Sequence, residues 1–441
     1  MSLRLSDGSH VTLLQVTQGT NHVCRYGNRW QDWLHPVLPR KLRTKFPRRE
    51  MTFTSGLGET TVVWLRHDGA TAPSRSSAFF LAAADENGLE SALLQSANVA
   101  RTLTARPTPV GPGQATVQLA GGLAQISGWE LKSFPRRADR FALCVYQRDA
   151  AGEVVRLGEF HVRAPGAVSL PSWTASACPV TRQTNGLEIS LTKLETGLTG
   201  KETGHGPAGE SAKSFSRATF IIRENSVPTE KWSLCGIRAS NAAGETRAAG
   251  SYGSRWERGE HKVDFEGALW LEEAAWKLET EFARTGGFPA DELWSVGGVS
   301  VPKSGELLEA RVLTNLHHTE LEFLGVSGPK TNLPEDYAGI RPHANLHVRT
   351  PHPMDGLRLV LVEVRDDQGR KLATKGSTSR SSTGGRGNTP KEMLHGFAVE
   401  IPEDAKSLDI TFAATRVRSV EFLARPVMFE AKPETSNPQN R

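Results

Sequence analysis

Leu357-Arg358-Leu359-Val360-Leu361-Val362-Glu363-Val364-Arg365-Asp366-Asp367-Gln368-Gly369 sets a short apolar, β-branched run directly before Asp-x-x-Gly. Such a run, bounded by turn residues, reads as a strand, and the four residues that close it read as a hairpin tip. An Asp or Asn at the first turn position bonds the backbone two residues on, while Gly accepts the positive φ that returns the chain. The pattern recurs as Asp85-Glu86-Asn87-Gly88, Asp149-Ala150-Ala151-Gly152 and Asn241-Ala242-Ala243-Gly244, each time behind a strand-like run. Four such tips predict a chain folded back and forth on itself.

Working outward, Thr61–Arg66, Ala78–Ala83, Phe141–Tyr146, Gly158–Val162, Ala218–Ile222, Phe397–Ile401, Leu408–Phe412 and Val420–Leu423 are further short β-branched or aromatic runs. Leu3-Arg4-Leu5, Asp7-Gly8 and Val11–Val16 add an opening hairpin. With 42 Gly and 25 Pro, long uninterrupted helices should be few. The expected fold class is all-β, mainly antiparallel: two or more immunoglobulin-like β-sandwich domains with a short basic, partly helical N-terminal segment.

A chain of 441 residues exceeds what one core serves. The tips fall two and two, and each pair is followed by a final strand running into proline, Phe160–Pro165 and Phe422–Pro426. A duplicated sandwich plan explains this, as does the general reuse of one turn. The expected organisation is an N-terminal sandwich over 1–165 with a basic insert at 25–49, a connector at 166–185, and one or two C-terminal sandwiches over 186–430. Mobile loops are expected at 199–216 and 373–390, with a disordered tail at 431–441.

The 53 Lys+Arg against 48 Asp+Glu leave +5, and only Arg25–Arg49 concentrates it. Nucleic acid is therefore disfavoured as a partner, since its binding needs a basic patch. Trp30, Trp33, Leu34, Val37, Leu38, Leu42 and Phe46 give that segment an apolar stripe beside Arg40, Lys41, Arg43 and Lys45. It reads either as an interfacial membrane helix or as a surface element packed on the first sandwich. Pro36 and Pro39 favour the second, because proline breaks a helix interior. Cys24, Cys144, Cys178 and Cys235 are widely spaced, which favours buried thiols over a disulfide framework or zinc knuckle. No apolar stretch is long enough to span a membrane, and Met1–Gly8 lacks a signal-peptide pattern, so the literal address is cytoplasmic. An upstream leader would instead place the chain at the envelope or beyond.

Trp256 to Trp294 is the most aromatic region, with Trp270, Trp276 and Trp294 beside Glu279 and Glu281. Aromatic platforms with paired carboxylates suit a sugar-binding cleft, and glycosidases need one acid and one nucleophile or base. Yet Trp276-Lys277-Leu278-Glu279-Thr280-Glu281-Phe282 alternates strictly, and as a strand it buries Trp276, Leu278 and Phe282 while Glu279 and Glu281 face solvent. His317-His318 and His343, His347 and His352 show no acidic partner at a metal-ligand spacing, so no metal and no cofactor is expected. Phosphate-loop, dinucleotide, nucleophile-elbow and His-Glu-x-x-His motifs are missing.

Leu13-Leu14-Gln15-Val16-Thr17-Gln18-Gly19-Thr20, Pro171-x-Trp173, Phe288-Pro289-x-Asp291-Glu292-Leu293-Trp294 and Val420–Pro426 together resemble uncharacterised bacterial multi-domain β-sandwich proteins over most of the chain. That resemblance implies a fold and carries no functional residues. The expected function is a non-catalytic binding or structural protein at or near the cell envelope. A carbohydrate-active or sugar-binding protein using 256–294 is the alternative, and a basic membrane-surface or nucleic-acid adaptor working through 25–49 the second. The expected partners are accordingly a carbohydrate, another protein or a membrane surface.

Overall fold

The computed structural model describes residues 2–26, 37–39, 50–55, 59–68, 79–94, 108–111, 114–119, 122–149, 152–164, 170–198, 214–257, 260–302, 306–328, 343–351, 354, 356–381 and 392–429. Strands dominate them. The first part contains β1 (Ser2–Arg4), β2 (His10–Gly19), β3 (Asn21–Arg25), β4 (Glu50–Thr54), β5 (Thr60–Asp68), β6 (Phe79–Ala84), β7 (Thr108–Gly111), β8 (Gln114–Leu119), β9 (Gly122–Glu130), β10 (Arg140–Arg148) and β11 (Val154–Arg163). Then follow β12 (Val180–Thr184), β13 (Leu187–Leu198), β14 (Ser214–Glu224), β15 (Val227–Pro228), β16 (Trp232–Asn241), β17 (Thr246–Glu257), β18 (Glu260–Glu266) and β19 (Trp276–Arg284). The last are β20 (Leu293–Ser300), β21 (Leu307–Leu316), β22 (Thr319–Ser327), β23 (His343–Pro351), β24 (Leu357–Asp366), β25 (Thr374–Ser381), β26 (Glu392–Glu400), β27 (Ser407–Arg416), β28 (Arg418–Ala424) and β29 (Val427–Met428). Among the described residues the one helical turn is Ala290–Glu292. The basic segment expected to be partly helical lies outside the described residues apart from Arg25, Tyr26 and 37–39, and its flanks are strand: Arg25 on β3 pairs with Glu50 on β4.

Three large cores organise these strands; the first and third each draw on two sheets, and the second is formed within one ten-stranded sheet whose two parts are joined by β17, paired to both β16 and β18. The first takes Val63 and Leu65 from β5 and Trp129 from β9, and meets Leu81, Leu143 and Phe160 from the sheet β11-β10-β6. The second joins Ile189, Phe220 and Val263 to Trp276, Phe282 and Phe422. The third joins Phe323, Leu346 and Phe397 to Trp294, Leu359 and Phe412. We call the residues around these cores the first, second and third units. β5 reads as an unbroken apolar run because it is covered on both faces: Val63 and Leu65 enter the first core, while Val62 and Trp64 pack against Cys24 and Met51 of the β3–β4 hairpin.

The chain follows one route three times. Two antiparallel neighbours, β2–β5, β13–β14 or β22–β23, open one sheet. The next long strand crosses over, β6 and β24 to the other sheet and β16 to the far part of the ten-stranded one, and the chain then returns beside the second strand as β9, β18 or β26. It crosses back beside the first crossing strand as β10, β19 or β27. The recurrence is thus threefold where the sequence pattern suggested two. The third unit also lies, in sequence, between β19 and β28, which pair along Trp276–Phe282 as neighbours of the second unit.

The tips explain the recurrence. Asp85, Asn241 and Asp366 each end the first crossing strand, and Asp149 ends β10. In all four the side-chain Oδ1 accepts the backbone N–H four residues on, from Leu89, Glu245, Arg370 and Glu153, at 2.8–2.9 Å. The glycines Gly88, Gly152, Gly244 and Gly369 sit at φ of +76°, +89°, +83° and +75°. At Gly369 an added Cβ would meet nothing within 4 Å, so backbone conformation alone sets the cost of a side chain there. Gly369→Val should therefore lower the stability of the third unit by at least about 1 kcal/mol in urea titration. An unchanged midpoint would show that the tip does not impose this conformation.

Candidate functional site

The densest buried polar chemistry lies where the second unit's tip meets the first unit. The turn at Asn241–Gly244 returns the chain so that Glu245 enters the junction, its carboxylate fully buried. Ser133 Oγ donates to Glu245 Oε1 at 2.5 Å, Trp270 Nε1 donates to Oε1 and Oε2 at 3.2 and 3.0 Å, and Arg247 lies 3.0 Å away. The Arg247 guanidinium also donates to Ser133 Oγ. Beside this group Arg136 donates to the Ala243 carbonyl at 3.0 Å, and Arg137 donates to the buried carboxylate of Glu273 at 2.7 Å. Each of these last two contacts joins the first unit to the second.

The contact is reciprocal. The second unit's tip grips the segment before β10, while the first unit's tip grips the segment before β19. There Ala268 N–H donates to the Glu90 carbonyl at 2.8 Å, Glu90 N–H donates to Ser214 Oγ at 2.6 Å, and Leu89 enters the second core. Gly267, at φ +77°, lets the two backbones approach, since a Cβ there would stand 2.5 Å from the Ala92 nitrogen.

Burial pushes the Glu245 carboxyl up and the Arg247 guanidinium down, and each charge opposes the other's shift. A serine donating to a carboxylate has the outline of an activated nucleophile. Ser133 and Glu245 are only 7% and 1% exposed, however, so no substrate atom reaches them. What the arrangement does is fasten two units through a desolvated ion pair whose carboxylate is met on both oxygens, while Arg247 Nε is buried without a hydrogen-bond partner.

The residues singled out in sequence fall into different places. Trp270 belongs to the junction, Trp276 donates from Nε1 to the Trp270 carbonyl at 3.3 Å, and Trp294 packs against Phe412 in the third core. All three are buried and present no face to solvent. Glu279 and Glu281 lie on the opposite side of β19 from Trp276, as the alternation requires. Lys277 at 2.7 Å and Arg238 at 2.6 Å hold the Glu279 carboxyl below its ordinary range. Trp and Glu are thus not brought into one cleft.

Arg40, Lys41, Arg43 and Lys45, with Trp30, Trp33 and His352, lie outside the described residues. Cys24 and Cys144 are buried thiols pushed up to about 12 by desolvation, whereas Cys235 is half-buried and Cys178 exposed. His317 and His318 form a hairpin turn at φ +51° and +65°, and His347 shares a 2.9 Å bond with Ser327. Among the described residues no group of three His, Cys, Asp or Glu side chains is placed to hold a metal ion. Sequence reading missed Glu245 and Arg247, because their partners Ser133 and Trp270 are distant in the chain. No protein-family model and no curated protein matches the sequence.

Removing one partner of a buried pair strands the other charge. Arg247→Met should cost about 3–5 kcal/mol in urea unfolding, and adding Glu245→Leu should recover much of it. A double variant no better than the single would show that the pair is not the fastening element.

Desolvation lowers His22, His67, His261, His347 and His395 below the ordinary imidazole value, His261 to about 4. The unfolded chain takes up these protons near pH 6.5 and the folded chain only at lower pH, so stability should fall as pH drops below about 6.5. For His261 the loss continues to about pH 4 and amounts to roughly 3 kcal/mol. His261→Gln should flatten the acid limb of a stability–pH curve, and an unaltered slope would refute this assignment.

Proposed function

We propose that the protein is a non-catalytic binding or structural protein built of β-sandwich units, acting at or near the cell envelope. Each unit would be one sandwich: the first and third cores, each shared by two sheets, and the second, enclosed by one ten-stranded sheet, support that reading. The proposed boundaries leave the first unit within 1–165 and the other two within 180–430, because β12, in the connector expected at 166–185, pairs with β13 and sends Val180 into the second core, and β25 occupies part of the loop expected at 373–390. One observation carries the functional part. The richest polar cluster on the described chain is consumed in fastening one unit to the next, as a scaffold requires and as an open active site does not.

The carbohydrate alternative keeps one support. Trp173 is half-buried, and Lys277 lies 5.9 Å from its ring on the side of β19 that carries Glu279. Assays of reducing-end release from a polysaccharide panel by the full-length chain separate the two. The scaffold reading expects the wild type to release no more than Glu279→Gln/Glu281→Gln. Hydrolysis that vanishes in the double variant would replace it with the alternative. Fractionation that leaves the native chain wholly in the cytosol would remove the envelope address.

A further inference from the structure

Of the asparagines in the chain, Asn87 and Asn185 alone precede glycine, and in both cases leucine follows. An asparagine in that setting can react with its own backbone, because the next residue's nitrogen reaches the side-chain carbonyl carbon most easily when that residue lacks a Cβ. Both asparagines are exposed, and both glycines lie at positive φ, Gly88 at +76° and Gly186 at +78°. Local sequence, solvent access and glycine conformation therefore do not separate the two.

Hydrogen bonds do. Asn87 stands in the first unit's tip, where its backbone N–H donates to Asp85 Oδ1 at 2.9 Å and its side-chain Nδ2 donates to Asp85 Oδ2 at 3.1 Å. The Gly88 nitrogen, which would make the attack, donates to the Asp85 carbonyl at 3.2 Å. Asp85 is itself buried and also accepts the Leu89 N–H at 2.8 Å, so the tip cannot turn about Asn87 without giving up several bonds together.

Asn185 is held otherwise. With Gly186 it connects β12 to β13 between the paired Thr184 and Leu187, and the φ values of +46° and +78° are those of a two-residue I′ hairpin turn. Among the described residues neither the Asn185 side chain nor the Gly186 N–H makes a hydrogen bond. The Gly186 carbonyl accepts the Asn225 N–H at 3.1 Å, but that carbonyl belongs to neither reacting group.

We propose that Asn185 is a site of spontaneous deamidation in the folded protein, and that Asn87, with the same following residues, is protected by the bonds of its tip. The Gly186 nitrogen attacks Asn185 Cγ: a C–N bond forms, the Cγ–Nδ2 bond breaks, and Nδ2 leaves as ammonia with the proton given up by the Gly186 nitrogen. Water then opens the cyclic imide at either carbonyl, leaving aspartate or, where the chain now runs through the former side chain, isoaspartate. Either product adds a negative charge, and isoaspartate adds a methylene to the backbone of a two-residue turn. The site stands apart from the functional reading above, which does not use it.

The full-length protein, incubated in water at mildly alkaline pH both folded and in urea, provides the test. Peptides are mapped by mass spectrometry with fragmentation that separates aspartate from isoaspartate. In the folded chain Asn185 should convert with first-order kinetics, and Asn87 at least about tenfold more slowly, since more than one hydrogen bond must break before its attack. In urea those bonds are gone, and the two should convert at similar rates. An Asn185 that stays intact in the folded chain, an Asn87 that converts as fast, or a difference that survives in urea would each overturn the proposal.

Discussion

Glu245 is a carboxylate taken wholly out of water, and the junction of the first two units is built to compensate it. Desolvating a charge costs several kcal/mol, and the return comes only if every lone pair is met. Arg247, Ser133 and Trp270 meet them, and Ser133 belongs to the other unit. Separating the units would take Ser133 away and admit water on one side only. The pair therefore specifies which surfaces meet more than it adds net stability, since apolar residues of similar shape could fill the space as well.

The reciprocal form of the contact follows from the threefold route of the chain. Because the same tip follows the same strand in each unit, and the same crossing segment precedes its neighbour, two units can face each other with tip on segment in both directions. Ala268 N–H on the Glu90 carbonyl and the Arg136 guanidinium on the Ala243 carbonyl are the two halves of that exchange. The ionic half sits only on the second unit's tip, where Glu245 occupies the position held by Leu89 in the first and Arg370 in the third. One turn with a variable fifth residue thus makes an apolar, an acidic or a basic contact.

The strands and tips were legible because their causes are local. An alternation such as Trp276–Phe282 decides its own facing, and Asp-x-x-Gly closes its own hydrogen bonds, so both survived folding as written. Nesting was not legible: nothing in Trp276–Arg284 states that its partner is Arg418–Ala424, beyond the entire third core. The tryptophans misdirected attention for a related reason. Trp270, Trp276 and Trp294 read as platforms in a window of sequence, but whether an indole faces solvent depends on distant strands. Glu245 and Arg247 looked like ordinary surface charges until the first unit supplied their surroundings.

The third unit shows what the same tip does without a neighbouring unit on it. Arg370 there bonds Asp366 at 2.5 Å in its own turn and Asp404 at 2.8 Å in the segment before β27, and Lys406 N–H donates to Asp367 at 2.9 Å. Tip and segment are bound to each other within one unit, with Arg370 and Asp404 in water, where such pairs contribute little. The surface that fastens the first two units is thus closed upon itself in the third.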